Sequence, residues 1–252
     1  MEHGKATPAS ASVLVHGLLA GPRRPAVLVA AGPAATYLAA GDGLVAVVAA
    51  GAVRLPCAAV LAGDGPPPAG GDLAVGDHGV WDGDRRVAAV RRWFDPRVRT
   101  APPHPGALAR LAARVDDCAA PDPAVPAEAV RALAADPPAA VDGLVGRGGG
   151  LTPAGDDLVA GCLAALRARR HPAAGALGAA VRRRAPGRTT RLSAALLAAA
   201  DRGAVVPEAA AVLRALTAPP GPGLDRAAGR LLGLGHTSGW YLAAGLAVGC
   251  AA

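Results

Sequence analysis

Near residue 100 the chain changes rhythm, and that change constrains its fold more than any other feature. Before it, strand-sized Val/Leu/Ala runs at 13–18, 26–30, 36–40, 44–49 and 57–61 are bounded by Gly, Pro and Asp, the punctuation of strands separated by turns. Gly41-Asp42-Gly43 predicts a tight hairpin, and 73–75, 80–81 and 86–94 are further strand candidates. After the proline-rich stretch 97–105, apolar residues recur at helical spacing: Leu108, Leu111, Ala112 and Val115, then Val130, Leu133 and Ala134. Helices fit 154–170, 177–184, 190–202, 207–216, 224–232 and 239–250, with Gly, Pro or Arg-rich stops. The expectation is an α+β chain: an antiparallel β-rich domain at 1–100, then an all-helical domain at 101–252.

Composition narrows function by subtraction. The formal net charge is +7, yet the arginines are scattered and only six residues are aromatic, which leaves no stacking platform for a nucleic acid. The four cysteines, Cys57, Cys118, Cys162 and Cys250, form no C-x-x-C pair and read as small buried hydrophobes in a reducing compartment. His16 interrupts the apolar stretch 13–20, which makes a poor signal peptide. The uncharged run 231–252 contains five glycines with His236, Thr237 and Ser238 near its start, so a buried helix is expected rather than a membrane span. The expected protein is soluble and cytoplasmic, without nucleic-acid or membrane partners.

Polar side chains are so scarce that their positions carry information. There is no Asn or Gln, and of twelve hydroxyl residues six fall in three short segments. The first is Gly146-Arg147-Gly148-Gly149-Gly150-Leu151-Thr152-Pro153-Ala154-Gly155-Asp156-Asp157. Thr152 reads as an N-cap with Pro153 at the first helical position. Gly148, Gly149 and Gly150 would let backbone N–H groups approach an anion. Asp156 and Asp157 fall in the first turn, where the helix dipole favours each by about 0.3–1 kcal/mol. A well-capped helix accounts for the acids, but not for three consecutive glycines. With no Lys after them the loop is not a Walker A sequence, nor does it sit in the βαβ context of a dinucleotide fingerprint.

The second segment is Gly187-Arg188-Thr189-Thr190-Arg191-Leu192-Ser193. Thr189 or Thr190 can cap the next helix, and Arg188 or Arg191 could clamp a carboxylate or phosphate. The plainer reading is a cap beside solvent-exposed arginines. The third is Gly233-Leu234-Gly235-His236-Thr237-Ser238-Gly239-Trp240. Thr237 or Ser238 would cap the last helix, and His236 just before it would be biased towards its neutral form; a His bonded to a neighbouring loop is the bland alternative. Of the other histidines, His16 falls in a predicted strand, while His78, His104 and His171 lie in loops and are expected to face solvent. Arg91, Arg92 and Trp93 could form an edge of the site, but read better as a solvated strand face.

Gly-x-Gly-Gly-Gly-Leu-Thr-Pro-Ala-Gly-Asp-Asp, Arg-Thr-Thr-x-x-Ser and Gly-His-Thr-Ser-Gly-Trp, in that order, resemble the AllH-type family, typified by a subunit of bacterial oxamate carbamoyltransferase. The resemblance covers about 143–204 and 230–249. Ala154 stands where the family usually has Ser. The resemblance implies carbamoyl transfer between carbamoyl phosphate and oxamate, giving oxalurate and phosphate, within a complex that includes AllG-like and FdrA-like subunits. On that basis the three segments are expected to surround one small anionic substrate. Gly148, Gly149, Gly150 and Thr152 would cradle it, and Arg188, Thr189 and Thr190 would add donors. Thr237 and Ser238 would close the site, and His236 would polarise the carbamoyl carbonyl. Asp156 or Asp157 would position the attacking nitrogen, accept its proton or hold Mg²⁺, the one candidate cofactor. The alternative is a non-catalytic assembly or anion-sensing subunit.

Overall fold

The computed structural model of the protein describes residues 6–63, 68, 70–118 and 125–252. The chain divides into two compact units, Met1–Pro96 and Arg97–Ala252.

Among the described residues, the first unit holds one mixed sheet of nine strands: β1 (Thr7–Ser12), β2 (Arg24–Pro25), β3 (Val27–Ala31), β4 (Ala35–Ala40), β5 (Gly43–Val48), β6 (Ala58–Leu61), β7 (Leu73–Gly76), β8 (Gly79–Asp82) and β9 (Arg85–Phe94). Their spatial order is β2-β7-β8-β9-β1-β6-β5-β4-β3. Only Ala26 separates β2 from β3, yet these are the two ends of the sheet. The segment therefore bends from one edge to the other and nearly closes the sheet into a barrel, which leaves little open edge. Most pairings are antiparallel, as expected, but β1 runs parallel to β9 and β5 parallel to β6. The connector after β5 is not a hairpin turn; it carries the chain back to the same end of the sheet before β6 begins.

A correction concerns 13–18, expected as a strand that included His16. The strand lies earlier, and a 3-10 turn (Val13–Val15) leads into the short helix α1 (His16–Leu19). The Ser12 hydroxyl causes the change: it accepts the Leu14 N–H at 3.1 Å and starts a helical turn. Apolar content marked these residues as buried without deciding their period.

The second unit is helical: α2 (Pro105–Asp116), α3 (Ala127–Ala135), α4 (Pro137–Leu144), α5 (Ala154–Ala168), α6 (Ala173–Arg184), α7 (Arg191–Ala200), α8 (Pro207–Ala215), α9 (Pro222–Leu232) and α10 (Ser238–Ala251). No helix was expected at α4. Asp136 caps it by accepting the Ala139 N–H at 3.2 Å, with Pro137 at the first helical position. His104, expected in a loop, also caps a helix: its Nδ1 accepts the Gly106 N–H at 3.1 Å. Cys118 is exposed, whereas Cys57, Cys162 and Cys250 are buried as expected. Cys118 lies just beyond the last turn of α2, outside the packed helical faces.

Helix α5 is the hub of this unit, buried from Ala154 to Leu166 and again at Ala168. Its tightest neighbour is α10. A Cβ at Gly161 would overlap the Leu242 carbonyl oxygen, one at Gly245 the Leu158 oxygen, and one at Gly249 the Cys162 oxygen. Glycine at these three places lets the two backbones touch. The uncharged 231–252 stretch is thus split between the end of α9, a turn and α10. Among the described residues, no helix is long and apolar enough to cross a membrane.

Candidate functional site

The contact between α5 and α10 brings the N-terminus of α5 beside that of α10, and the three hydroxyl-bearing segments meet there. Asp156 ties the first segment to the second. Only 1% exposed, its Oδ1 accepts the Gly146 N–H at 2.8 Å, and its Oδ2 accepts the Ser193 hydroxyl at 2.6 Å and the Thr189 hydroxyl. The carboxylate at the positive end of α5 is thus held by three donors from its own chain, the arrangement that makes a buried charge tolerable. The Thr190 hydroxyl adds a second tie by donating to the Leu151 carbonyl, while its oxygen caps α7 by accepting the Ser193 N–H at 3.0 Å.

Gly146 is required where it stands. Its φ is +80°, and a Cβ there would overlap the Arg188 carbonyl oxygen, so both the left-handed backbone and the close approach exclude a side chain. The Arg188 side chain is exposed and turns towards α4, where Nη2 donates to the Asp142 carbonyl at 3.2 Å.

Thr152 ties the first segment to the third. Expected as an N-cap, it is displaced from that position by Pro153, which caps α5 without a side-chain bond. Its hydroxyl instead lies 2.9 Å from the Ser238 hydroxyl. Thr237 stands at the N-cap of α10, one of the two positions expected, but makes no side-chain cap bond there; the Ser238 hydroxyl at the helix start faces Thr152 across the seam. His236 is exposed on the preceding turn. Trp240 anchors this end: its indole N–H donates to the Val115 carbonyl at 3.1 Å, in the last turn of α2, and to the Cys118 carbonyl at 2.9 Å just beyond it.

Asp157 differs from its neighbour. It is 7% exposed, and its Oδ2 is buried without a hydrogen-bond partner. Burial raises its carboxyl to about 7; the Asp156 charge pushes the same way, against the lowering influence of the Ser238 and Thr152 hydroxyls. An acid titrating near neutrality is the type of group that transfers protons. Among the described residues no cluster of three or more His, Cys, Asp or Glu could hold a metal ion. With the Asp156 oxygens engaged, Asp157 alone is not a ligand set for Mg²⁺.

The structure therefore brings together Thr152, Asp156, Asp157, Thr189, Thr190 and Ser238. Gly149, Gly150 and His236 lie on the exposed rim with Leu151, which is 43% exposed. Sequence reasoning missed the pairing of Ser193 with Asp156. The signal was available, since Ser193 is one of only four serines in the chain.

Residues 144–250 match the family described as oxamate carbamoyltransferase subunit AllH. No curated protein and no solved structure matches the chain.

Proposed function

We propose that this chain, matched over residues 144–250 by the oxamate carbamoyltransferase subunit AllH family, is a subunit of a carbamoyltransferase that uses oxamate or a related acceptor, and that it carries part of the reacting centre. One observation bears most of the weight. All three segments converge on the first turn of α5, and they leave Asp157 there as a buried carboxyl poised near neutral pH.

In the transfer, the acceptor's amide nitrogen attacks the carbonyl carbon of carbamoyl phosphate. The new C–N bond forms, the C–O bond to the phosphoryl group breaks, and phosphate leaves with the electron pair. The nitrogen's proton goes to ionised Asp157. Backbone N–H groups of Gly148, Gly149 and Gly150 face the phosphate or carboxylate end, with Thr237 at the rim; Arg188, expected to clamp the anion, is turned instead towards Asp142 on α4. His236 donates towards the carbamoyl oxygen as charge builds on it. Asp156, Thr189, Thr190 and Ser193 hold this geometry, and positioning of this kind is itself a large part of catalysis.

The test is reconstitution of the complex from this chain and its AllG-like and FdrA-like partners, assayed with oxalurate and phosphate. Asp157→Asn is expected to abolish turnover while the complex still assembles; unchanged turnover removes Asp157 from the chemistry. A second reading, a non-catalytic assembly subunit, is favoured by the exposed Leu151 on an otherwise glycine-lined rim, a surface suited to a protein contact. It predicts full activity from Asp157→Asn and loss of assembly from Leu151→Asp.

A further inference from the structure

The first unit lies outside the family match, which begins at residue 144, and it holds a cavity of its own. The cavity lies where β2 meets β7: Arg24 pairs with Val75, Pro25 with Ala74, and the Ala26 N–H donates to the Leu73 carbonyl at 2.8 Å. Its volume is about 560 Å³, within the range of small-molecule sites. Pro25, Ala26 and Leu73 give it an apolar side, and Arg23, Arg24 and Asp72 bring charge to it.

The two arginines differ in what they have left to offer. Arg23 is engaged: its guanidinium lies over the Trp81 ring, 4.8 Å from the centroid, donates to the Gly83 carbonyl and stands 3.5 Å from Asp84. Arg24 makes one long bond, Nε to the Pro22 carbonyl at 3.5 Å. Its Nη2 packs over the bare backbone of Gly21, where a Cβ would stand 3.0 Å away. On the same cavity, the Asp72 carboxylate makes no hydrogen bond or ion pair among the described residues, with Arg24 or with any other group. Only its main chain is tied, the carbonyl accepting the Gly83 N–H at 2.9 Å.

A guanidinium and a carboxylate that share a cavity and leave each other unpaired are complementary to a molecule carrying the opposite two charges. A simple anion drawn to Arg24 would be repelled by Asp72, and a simple cation would meet the reverse, so the wall selects against both. We propose that this cavity binds a zwitterionic amino acid, with the Arg24 fork taking its carboxylate, Asp72 its ammonium group, and Pro25 and Leu73 its carbon chain. The β-rich unit is then a binding module for a small amine-bearing acid, and this assignment stands independently of the transfer chemistry proposed for the helical unit. A ligand held there also braces the two-residue pairing that keeps β2 in the sheet.

Isothermal titration of the full chain at pH 7 tests this with two zwitterions, leucine and γ-aminobutyrate, whose unlike charges are closely and more widely spaced. Each is compared with counterparts that lack one charge: 4-methylpentanoate and 3-methylbutylamine for the first, butyrate and butylamine for the second. A hydrogen bond to a charged group contributes about ten-fold or more in affinity, so at least one zwitterion is expected to bind about ten-fold tighter than both of its counterparts. Arg24→Gln is expected to bring that zwitterion down to the level of its amine, and Asp72→Asn to the level of its carboxylate. Both side chains are exposed, so neither substitution is expected to unfold the unit. A carboxylate or an amine that binds as tightly as its zwitterion, a preference that survives either substitution, or no binding by any of the six overturns the proposal.

Discussion

Asp157→Asn is expected to stabilise the protein at pH 8 while it removes activity. The folded chain holds the Asp157 proton with a pKa of about 7, against an ordinary value of 3.8, chiefly because burial disfavours the charge. The unfolded chain has already released that proton above about pH 4. Between about pH 4 and pH 7 the folded state therefore binds one proton more, and stability falls as pH rises. Three units at about 1.36 kcal/mol each put the loss at about 4 kcal/mol, complete above about pH 7. Asn carries no proton to lose, so the stability difference between variant and wild type should widen by about that amount from pH 4 to pH 8. Urea denaturation of both proteins across this range measures it, and titrations common to the two cancel in the difference. Parallel stability curves for the two proteins would show that Asp157 does not titrate in this window, and both its proposed role as base and its burial as an acid would fall with that result.

Three further substitutions test the scaffold. Gly245→Ala places a methyl group against the Leu158 carbonyl oxygen in the α5–α10 seam and is expected to cost about 1–3 kcal/mol by overpacking, read as a lower urea midpoint. Gly229→Ala, in α9 with nothing within 4 Å of the added Cβ, is expected to gain up to about 1 kcal/mol in the same assay; a loss there would mean that glycine substitutions in this unit report something other than packing. Ser193→Ala removes the 2.6 Å donor to buried Asp156 and is expected to cost about 1–3 kcal/mol, whereas an unchanged midpoint would show that the other two donors suffice.

Much of the architecture could be read from patterning because strands and helices bury apolar residues at different periods, and the period changes at 97–105. Positions of β4, β5 and β9, and of α5, α8 and α10, follow from it closely. Pairing partners do not. Whether β5 meets β6 parallel or antiparallel depends on the path of a connector, and apolar runs carry no direction. Helix α4 escaped because two prolines and a glycine dominate its short sequence, although Asp136 and Pro137 mark its start. Alanine abundance hid the α5–α10 seam as well: small residues are everywhere in this chain, so Gly161, Gly245 and Gly249 do not stand out until the two backbones are seen in contact.

The site shows the same boundary between what order along the chain can say and what rotation about a helix decides. Asp156 and Asp157 are adjacent acids in one first turn, equivalent to any argument from the helix dipole. About 100° of rotation separates their side chains. That angle turns Asp156 towards Gly146, Thr189 and Ser193, where three donors hold it, and Asp157 towards the seam with Ser238, where burial outweighs its hydroxyl neighbours. Two roles follow from one dipeptide: a fixed charge that ties the segments together, and an acid free to gain or lose a proton beside it. The pair also depends on itself. The Asp156 charge helps to hold the Asp157 proton, so loosening the donors around Asp156 should be felt in the titration of Asp157. If the pH at which the stability difference between Asp157→Asn and wild type levels off stays fixed in a Ser193→Ala background, that coupling is absent and the two acids act independently.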